Sequence, residues 1–305
     1  MLHKQPLAPT ILVTGSNGQV GFELRRSLAT LGHVIALDRG VCDLGEPDAV
    51  RALVRRIRPA VIVNAAAYTA VDKAESEAEL AFAINGVAPG VLAEEARSLG
   101  SLLVHYSTDY VFSGTGDKPY EETDDVGPLS VYGKSKLAGE LAVAGAGAPA
   151  IVLRTSWLAG AHGENFVRTM LQRGRERDTL RVVNDQFGAP TTASLVADVT
   201  ARIIDRAWLH GNRAAFPSGI YHLAAAGETS WHGYGTEVLR YAAGKGVVLK
   251  VDPDGIEAIP ATALPRAAPR PANSRLNTRK LRETFDIHLP EWRSGVHYLI
   301  DQILS

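Results

Sequence analysis

Cysteine is nearly absent. Cys42 is the single one among 305 residues, so a disulfide within the chain is excluded and a cysteine-based zinc site is disfavoured. Charge of one sign is not in excess either, because 32 Lys and Arg stand against 33 Asp and Glu, a formal net charge of −1. No global field draws the chain to nucleic acid or to an anionic membrane, and neither is expected as a partner. Long apolar runs are missing too. None approaches the roughly 18 residues of a spanning helix, and the opening "MLHKQPLAPT" has no apolar targeting core, so a cytoplasmic protein is expected. What is present is 46% hydrophobic and 21% charged residues, the balance of a globular protein, in a chain long enough for one large domain or two smaller ones.

Short apolar runs alternate with amphipathic stretches through the first half. "TILVTG" (10–15), "HVIALD" (33–38), "AVIVNA" (60–65), "LLVHYS" (102–107) and "AIVLRTS" (150–156) are rich in Val, Ile and Leu and lack polar alternation. That is the pattern of parallel strands covered on both faces. Residues 19–31, 46–57, 79–99 and 132–144 between them read as helices. The expected fold is α/β, a Rossmann-like doubly wound parallel sheet with a smaller C-terminal α/β substrate-binding lobe. The nucleotide-binding domain is expected over 9–160, with parts of 193–225 returning to it, and 161–305 forms mainly the substrate lobe. In that second part 164–175, 193–208 and 230–243 read as helices, "LRVV" and "GIYHLA" as strands, and a last helix follows Pro290. The Pro- and Ala-rich segment within 252–275 reads as an ordered extended loop on the substrate side.

"VTGSNGQVGFEL" joins the first strand to the first helix, and Gly15, Gly18 and Gly21 form a GxxGxxG spacing. Gly15 suits a tight turn, Gly18 a close approach of backbone to a pyrophosphate, and Gly21 close helix–strand packing. The helix N-terminus offers free N–H groups to phosphates. Asp38, ending the second strand, suits a ribose hydroxyl and NADH, whereas Arg39 beside it suits the 2′-phosphate of NADPH, so both cofactors stay open. Asp43 and Leu44 are placed near an adenine edge, unless Asp43 is only a cap. Ala65, Ala66 and Ala67 follow the third strand and let a flat ring lie on backbone.

"SVYGKSKLAGE" (130–140) sets Tyr132 and Lys136 one helical turn apart on one face. Chance alone yields such a spacing in roughly one chain in four, so spacing does not decide the matter. An ammonium beside a phenol favours tyrosinate, and bringing a phenol from about 10 to near 7 takes about 4 kcal/mol. The phenol then acts as a general acid toward a carbonyl oxygen. "HYSTDYVFSG" (105–114) ends the fourth strand at the same sheet edge, where the Thr108 hydroxyl can hold that oxygen and Ser107 points to the opposite face.

The set GxxGxxG, STDYVF and YGKSK resembles the extended short-chain dehydrogenase/reductase family. "NAAAYTAVDKAE", "LRTSWLAG", "NDQFGAPT", "YHLAAAGETSWHGY" and "RPANSRLNT", in this order over nearly the whole chain, resemble its dTDP-4-dehydrorhamnose reductases. The resemblance implies reduction of dTDP-4-dehydro-β-L-rhamnose at C4 by NADPH or NADH, the last step in making dTDP-L-rhamnose for surface polysaccharide. It implies that Thr108, Tyr132 and Lys136 are catalytic, with Lys136 also binding the nicotinamide ribose and tuning Tyr132, and that Gln19, Val20, Asp38, Arg39, Asp43, Leu44, Ala67, Tyr68, Thr69, Tyr106 and Tyr132 contact cofactor along with the glycine turn. Thr108, Asp109 and Trp157 match sugar-contacting positions, and Arg270 or Arg275 suits a diphosphate. Trp231 and His232 stay open between structural and functional roles.

Some members are dimers bridged by magnesium through glutamates. The counterparts here are Glu23, Ser194 and Gln302, which leave one carboxylate, so no metal site is expected and the chain is expected to be a monomer or weak homodimer. Two alternatives remain: a nucleotide-sugar epimerase or dehydratase on the same scaffold, and a non-catalytic regulatory subunit. Asp109–Tyr110 in place of an acidic pair argues against the dehydratase, and retention of both Tyr132 and Lys136 against the regulator.

Overall fold

A computed structural model describes residues 8–305; the opening residues 1–7, considered above for a targeting segment, lie outside the described residues. The first half alternates β1 (Thr10–Thr14), α1 (Gln19–Ser27), β2 (His33–Leu37), α2 (Pro47–Ile57) and β3 (Val61–Asn64). It continues through α3 (Val71–Ala74), α4 (Ala78–Phe82), α5 (Ala88–Leu99), β4 (Leu102–Thr108), α6 (Val131–Ala146) and β5 (Ala150–Thr155). The helices start and stop where local chemistry dictates. Pro47 opens α2 with Asp48 in the first turn, the Ser130 hydroxyl caps α6 by accepting from Gly133 N, and Gly147 in left-handed backbone (φ 66°) ends it. The single helix read over 79–99 carries one π-helical turn, Ala83–Val87, between α4 and α5. Such turns recur at functional sites.

The second half holds β6 (Leu158–Ala159), α7 (Phe166–Glu176), β7 (Arg181–Val183), β8 (Phe187–Gly188), β9 (Thr191–Thr192), α8 (Ala193–Ile203) and β10 (Gly219–His222). It ends with β11 (Thr229–Ser230), α9 (Trp231–Gly244), β12 (Glu257–Ile259), α10 (Arg279–Phe285) and α11 (Trp292–Leu304). Six strands form the central sheet in the order β10-β5-β4-β3-β1-β2, all parallel. The order reverses between β1 and β3, and the loops leaving that switch point are where such sheets take ligands.

Each sheet face has its own core. Ile11, Val13, Val61, Val63 and Val104 meet α1 and α8 on one side, while Leu12, Ile62, Leu103 and Val152 meet α2 and α5 on the other. This two-sided burial is why the strands read as unbroken apolar runs. A third cluster, built on Val167, Met170, Val238, Leu239, Trp292 and Val296, holds α7, α9 and α11 together as the second lobe. The division read from sequence returned parts of 193–225 to the first domain. In the structure Leu281, Ile287 and Leu289 lie in the core of the sheet, together with Val196, Ile203 and Tyr221. The sequence showed no helix at α10 because its seven residues, RKLRETF, carry too little apolar periodicity. Among the described residues no helix is long and apolar enough to cross a membrane.

Candidate functional site

At the switch point the chain turns at Gly15 with φ 69°, and a Cβ there would lie 2.7 Å from the Ala66 backbone. A Cβ on Gly18 would stand 3.3 Å from the Gly15 carbonyl oxygen, and one on Gly21 would fall inside its contact distance. Gly21 therefore serves helix–strand packing and does not line the cavity. α1 begins after Gly18 with no side-chain cap, which leaves its first N–H groups without a side-chain acceptor.

These glycines open onto a cavity of about 780 Å³. Gln19, Val20, Asp38, Arg39, Asp43 and Leu44 line one wall, and Ala67, Tyr68 and Thr69 another. Asp38 accepts from Asn17 Nδ2 and Gly40 N, both at 3.0 Å, while Arg39 Nε lies 3.3 Å from Asp43 Oδ2. Asp43 also accepts from Gly45 N at 2.9 Å, the local turn that holds its carboxyl below the usual range. A floor where a Cβ at Gly15 would collide and one at Gly18 would be tight, the free helix N-terminus and the acidic wall fit a dinucleotide.

A second cavity of about 410 Å³ adjoins the first, sharing Gln19, Val20, Ala65, Ala67, Thr69 and Leu158 with it. Thr108, Asp109, Tyr132, Lys136 and Trp157 line it. The start of α6 is fixed twice, by the Ser130 cap and by Glu75, which accepts from Val131 N at 2.9 Å. That places Tyr132 edge-on to the Tyr110 ring, centroids 5.5 Å apart. Lys136 Nζ donates to the Tyr106 carbonyl oxygen at 2.6 Å and lies 3.4 Å from His105 Nε2. Thr108 Oγ1 donates to Asp109 Oδ1 at 3.1 Å and accepts from Tyr110 N at 3.2 Å.

Burial dominates the electrostatics. It pushes the Tyr132 phenol up to about 12, with the Thr108 hydroxyl opposing and Asp109 adding. The lowering expected from Lys136 is not found: its ammonium is engaged by the Tyr106 carbonyl oxygen at 2.6 Å and is not among the groups acting on the phenol, which burial raises. Lys136 itself is brought down to about 8 by burial, which Glu140 one turn along α6 opposes. Burial raises the Asp109 carboxyl to about 7 against the Ser274 and Thr108 hydroxyls.

Other expected residues sit less simply. The Tyr106 ring is turned into the core, its hydroxyl 2.7 Å from Thr200 Oγ1, so its backbone is what reaches the site. Trp157 stands in left-handed backbone (φ 47°), packed over Gly188 and stacked on Trp231 at 3.8 Å, with part of its surface on the cavity. Trp231 stacks on Trp157, His232 Nε2 lies 2.9 Å from the Ile256 carbonyl oxygen, and neither lines the cavity holding Tyr132. Neither arginine lines the cavity holding Tyr132. Arg270 donates to Asp72 at 2.9 Å and to the Ala268 carbonyl at 3.0 Å. Arg275 is held by Asn273, Glu228 and the Asp117 carbonyl. Ser107, expected on the far face, lines the cavity with Thr155 and Ser156, and among the described residues their hydroxyls have no hydrogen-bond partner.

Sequence reasoning missed Asn85, which sits in the π-helical turn. It accepts from Tyr68 N at 2.9 Å and donates to the Tyr68 carbonyl at 3.0 Å and to Ser135 Oγ at 3.0 Å, tying the alanine-rich loop to α6. Its signal was a lone amide inside an apolar helix. The Arg154–Glu140 pair behind the lysine, bonded at 2.9 and 2.6 Å, was missed too. Glu23, Ser194 and Gln302 line a separate surface cavity of about 530 Å³. Among the described residues no three His, Cys, Asp or Glu side chains stand together as a metal site.

Residues 9–305 match the family described as RmlD substrate binding domain. A dTDP-4-dehydrorhamnose reductase of Burkholderia thailandensis is 48% identical over 295 residues, covering 97% of this chain and 99% of that protein. Its counterpart in Salmonella typhimurium is also 48% identical, over 299 residues, covering 97% and 98%. The crystal structure of dTDP-4-dehydrorhamnose reductase from Bacillus anthracis in complex with NADP superposes with a TM-score of 0.88 at 31% identity, covering 97% of this chain and all of that one.

Proposed function

Because the chain belongs to the RmlD substrate binding domain family, we propose that it reduces the C4 ketone of dTDP-4-dehydro-β-L-rhamnose to dTDP-L-rhamnose, the last step in making that sugar nucleotide, with NADPH or NADH. The observation that carries this reading is the meeting of Thr108, Tyr132 and Lys136 in a cavity continuous with the glycine-turn cavity. The nicotinamide cofactor, when bound, supplies the reducing equivalent to C4. Gly15, Gly18, Gln19 and Val20 hold its phosphates at the N-terminus of α1. Asp38, Arg39, Asp43 and Leu44 line the adenosine end, and Ala67, Tyr68 and Thr69 the wall toward the nicotinamide.

The Thr108 hydroxyl holds the C4 oxygen, and Tyr132 donates its proton to that oxygen as negative charge develops there. A phenol raised to about 12 is fully protonated at neutral pH, as an acid in the reductive direction must be. An alkoxide is far more basic than a phenolate, so the transfer runs downhill even from this weak acid. Lys136 then stabilises the phenolate left behind. Trp157 offers an apolar flank to the sugar, with Asp109 beside it. Arg270 takes the diphosphate by exchanging its bond to Asp72, while Arg275 anchors the loop that carries it.

The substrate and cofactor are charged and do not cross membranes, which supports a cytoplasmic enzyme. A formal net charge of −1 supports no nucleic-acid partner. The single carboxylate among Glu23, Ser194 and Gln302 supports a monomer or weak homodimer without a bridging metal. The test is coupled turnover: purified protein consumes NADPH or NADH only when the 4-keto sugar nucleotide is added. Tyr132→Phe removes most turnover and leaves cofactor binding intact; loss of binding as well would overturn the role given to Tyr132.

A further inference from the structure

Behind Lys136 a row of buried polar side chains crosses three adjacent strands. Thr14 of β1, Asn64 of β3 and His105 of β4 are direct neighbours in register, Thr14 opposite Asn64 and Asn64 opposite His105. None is more than 1% exposed, and Lys136 is 2% exposed. Thr14 Oγ1 lies 2.6 Å from Asn64 Oδ1, Asn64 Nδ2 3.1 Å from His105 Nδ1, and His105 Nε2 3.4 Å from Lys136 Nζ. A polar row through a parallel sheet core is costly unless each member is satisfied, so its bonds constrain one another.

A neutral imidazole donates from one nitrogen and accepts at the other. With Asn64 Nδ2 donating to Nδ1, the imidazole proton sits on Nε2 and faces Lys136, which suits a neutral amine. With the Asn64 amide turned over, Oδ1 accepts from Nδ1–H, Nδ2 donates to Thr14 Oγ1, and Nε2 accepts from an ammonium. The lysine proton and the amide orientation are therefore coupled through His105. Among the described residues the charge acting on His105 is Lys136. The charge acting on Lys136 is Glu140, itself paired bidentately with Arg154 of β5. The neighbours on β1 and β3, Thr14 and Asn64, do not titrate.

We propose that His105, backed by Asn64 and Thr14, is a positioning residue that holds the Lys136 ammonium on the Tyr106 carbonyl and sets the pH at which it loses its proton. This rests on the reading that Tyr132 and Lys136 do the chemistry.

The test compares His105→Leu, which removes the acceptor, with His105→Gln, whose amide oxygen reaches the Nε2 position, and His105→Asn, whose amide reaches only Nδ1. His105→Leu is expected to lower kcat about tenfold or more, with KM for the 4-keto sugar nucleotide changed by less than about twofold. The alkaline limb of its kcat/KM profile moves to lower pH. His105→Gln restores both and His105→Asn neither, a comparison that stands even where the leucine variant does not fold. In a Lys136→Met background His105→Leu adds no further loss. A folded, cofactor-binding His105→Leu with parental kcat and alkaline limb overturns the proposal, as does a glutamine variant no better than the leucine. Should Tyr132→Phe and Lys136→Met keep parental turnover, the failure lies instead with the reading of the site.

Discussion

Replacing Asp109 by asparagine isolates one buried carboxyl and gives it a pH signature. Asp109 is 2% exposed; Thr108 donates to its Oδ1 at 3.1 Å, and among the described residues its Oδ2 has no hydrogen-bond partner. Burial raises it from 3.8 to about 7. The folded state thus favours the protonated carboxyl, whereas the unfolded chain ionises it near 3.8. Stability from this group is intact below the lower value, falls as pH rises between the two, and levels off above about 7. A shift of about three units is worth about 4 kcal/mol, and relaxation of the interior brings the measurable part to about 2–4 kcal/mol. Asparagine does not titrate. In urea unfolding from about pH 4 to about pH 8, the stability of Asp109→Asn minus that of the parent should therefore rise by that amount, then stay level above neutrality. The constant cost of burying an amide drops out of this pH-dependent difference, as do the titrations of all other groups. A gap that is flat with pH, or that narrows as pH rises, would refute the burial argument.

Glu140→Gln leaves Arg154, 2% exposed, without its charge partner and should destabilise the protein by about 3–5 kcal/mol, read by urea or thermal unfolding. Replacing both members with apolar residues of similar volume should recover most of that loss. Gly21→Ala forces a Cβ onto the Gly15 carbonyl; it should lower the melting temperature and weaken cofactor binding together, measured by nucleotide fluorescence titration. A variant that binds cofactor like the parent would show that the helix–strand contact there can relax.

By itself the sequence determined the sheet and its cofactor edge. A parallel strand covered on both faces must be apolar along its length, so "TILVTG", "AVIVNA" and "LLVHYS" announce themselves. The glycine turn and the Tyr132–Lys136 spacing are local as well, since each is set by backbone geometry within a few residues. Tertiary structure alone decided what surrounds them. His105 looks like any residue of a buried strand until β3 and α6 bring Asn64 and Lys136 to its two ring nitrogens. Glu140 and Arg154 become a pair, and Arg270 and Arg275 are drawn to Asp72 and Glu228, only when distant segments meet. The rise of the Tyr132 phenol to about 12 belongs to the same class. Desolvation depends on how much protein closes around a group, and one-dimensional spacing carries no measure of that.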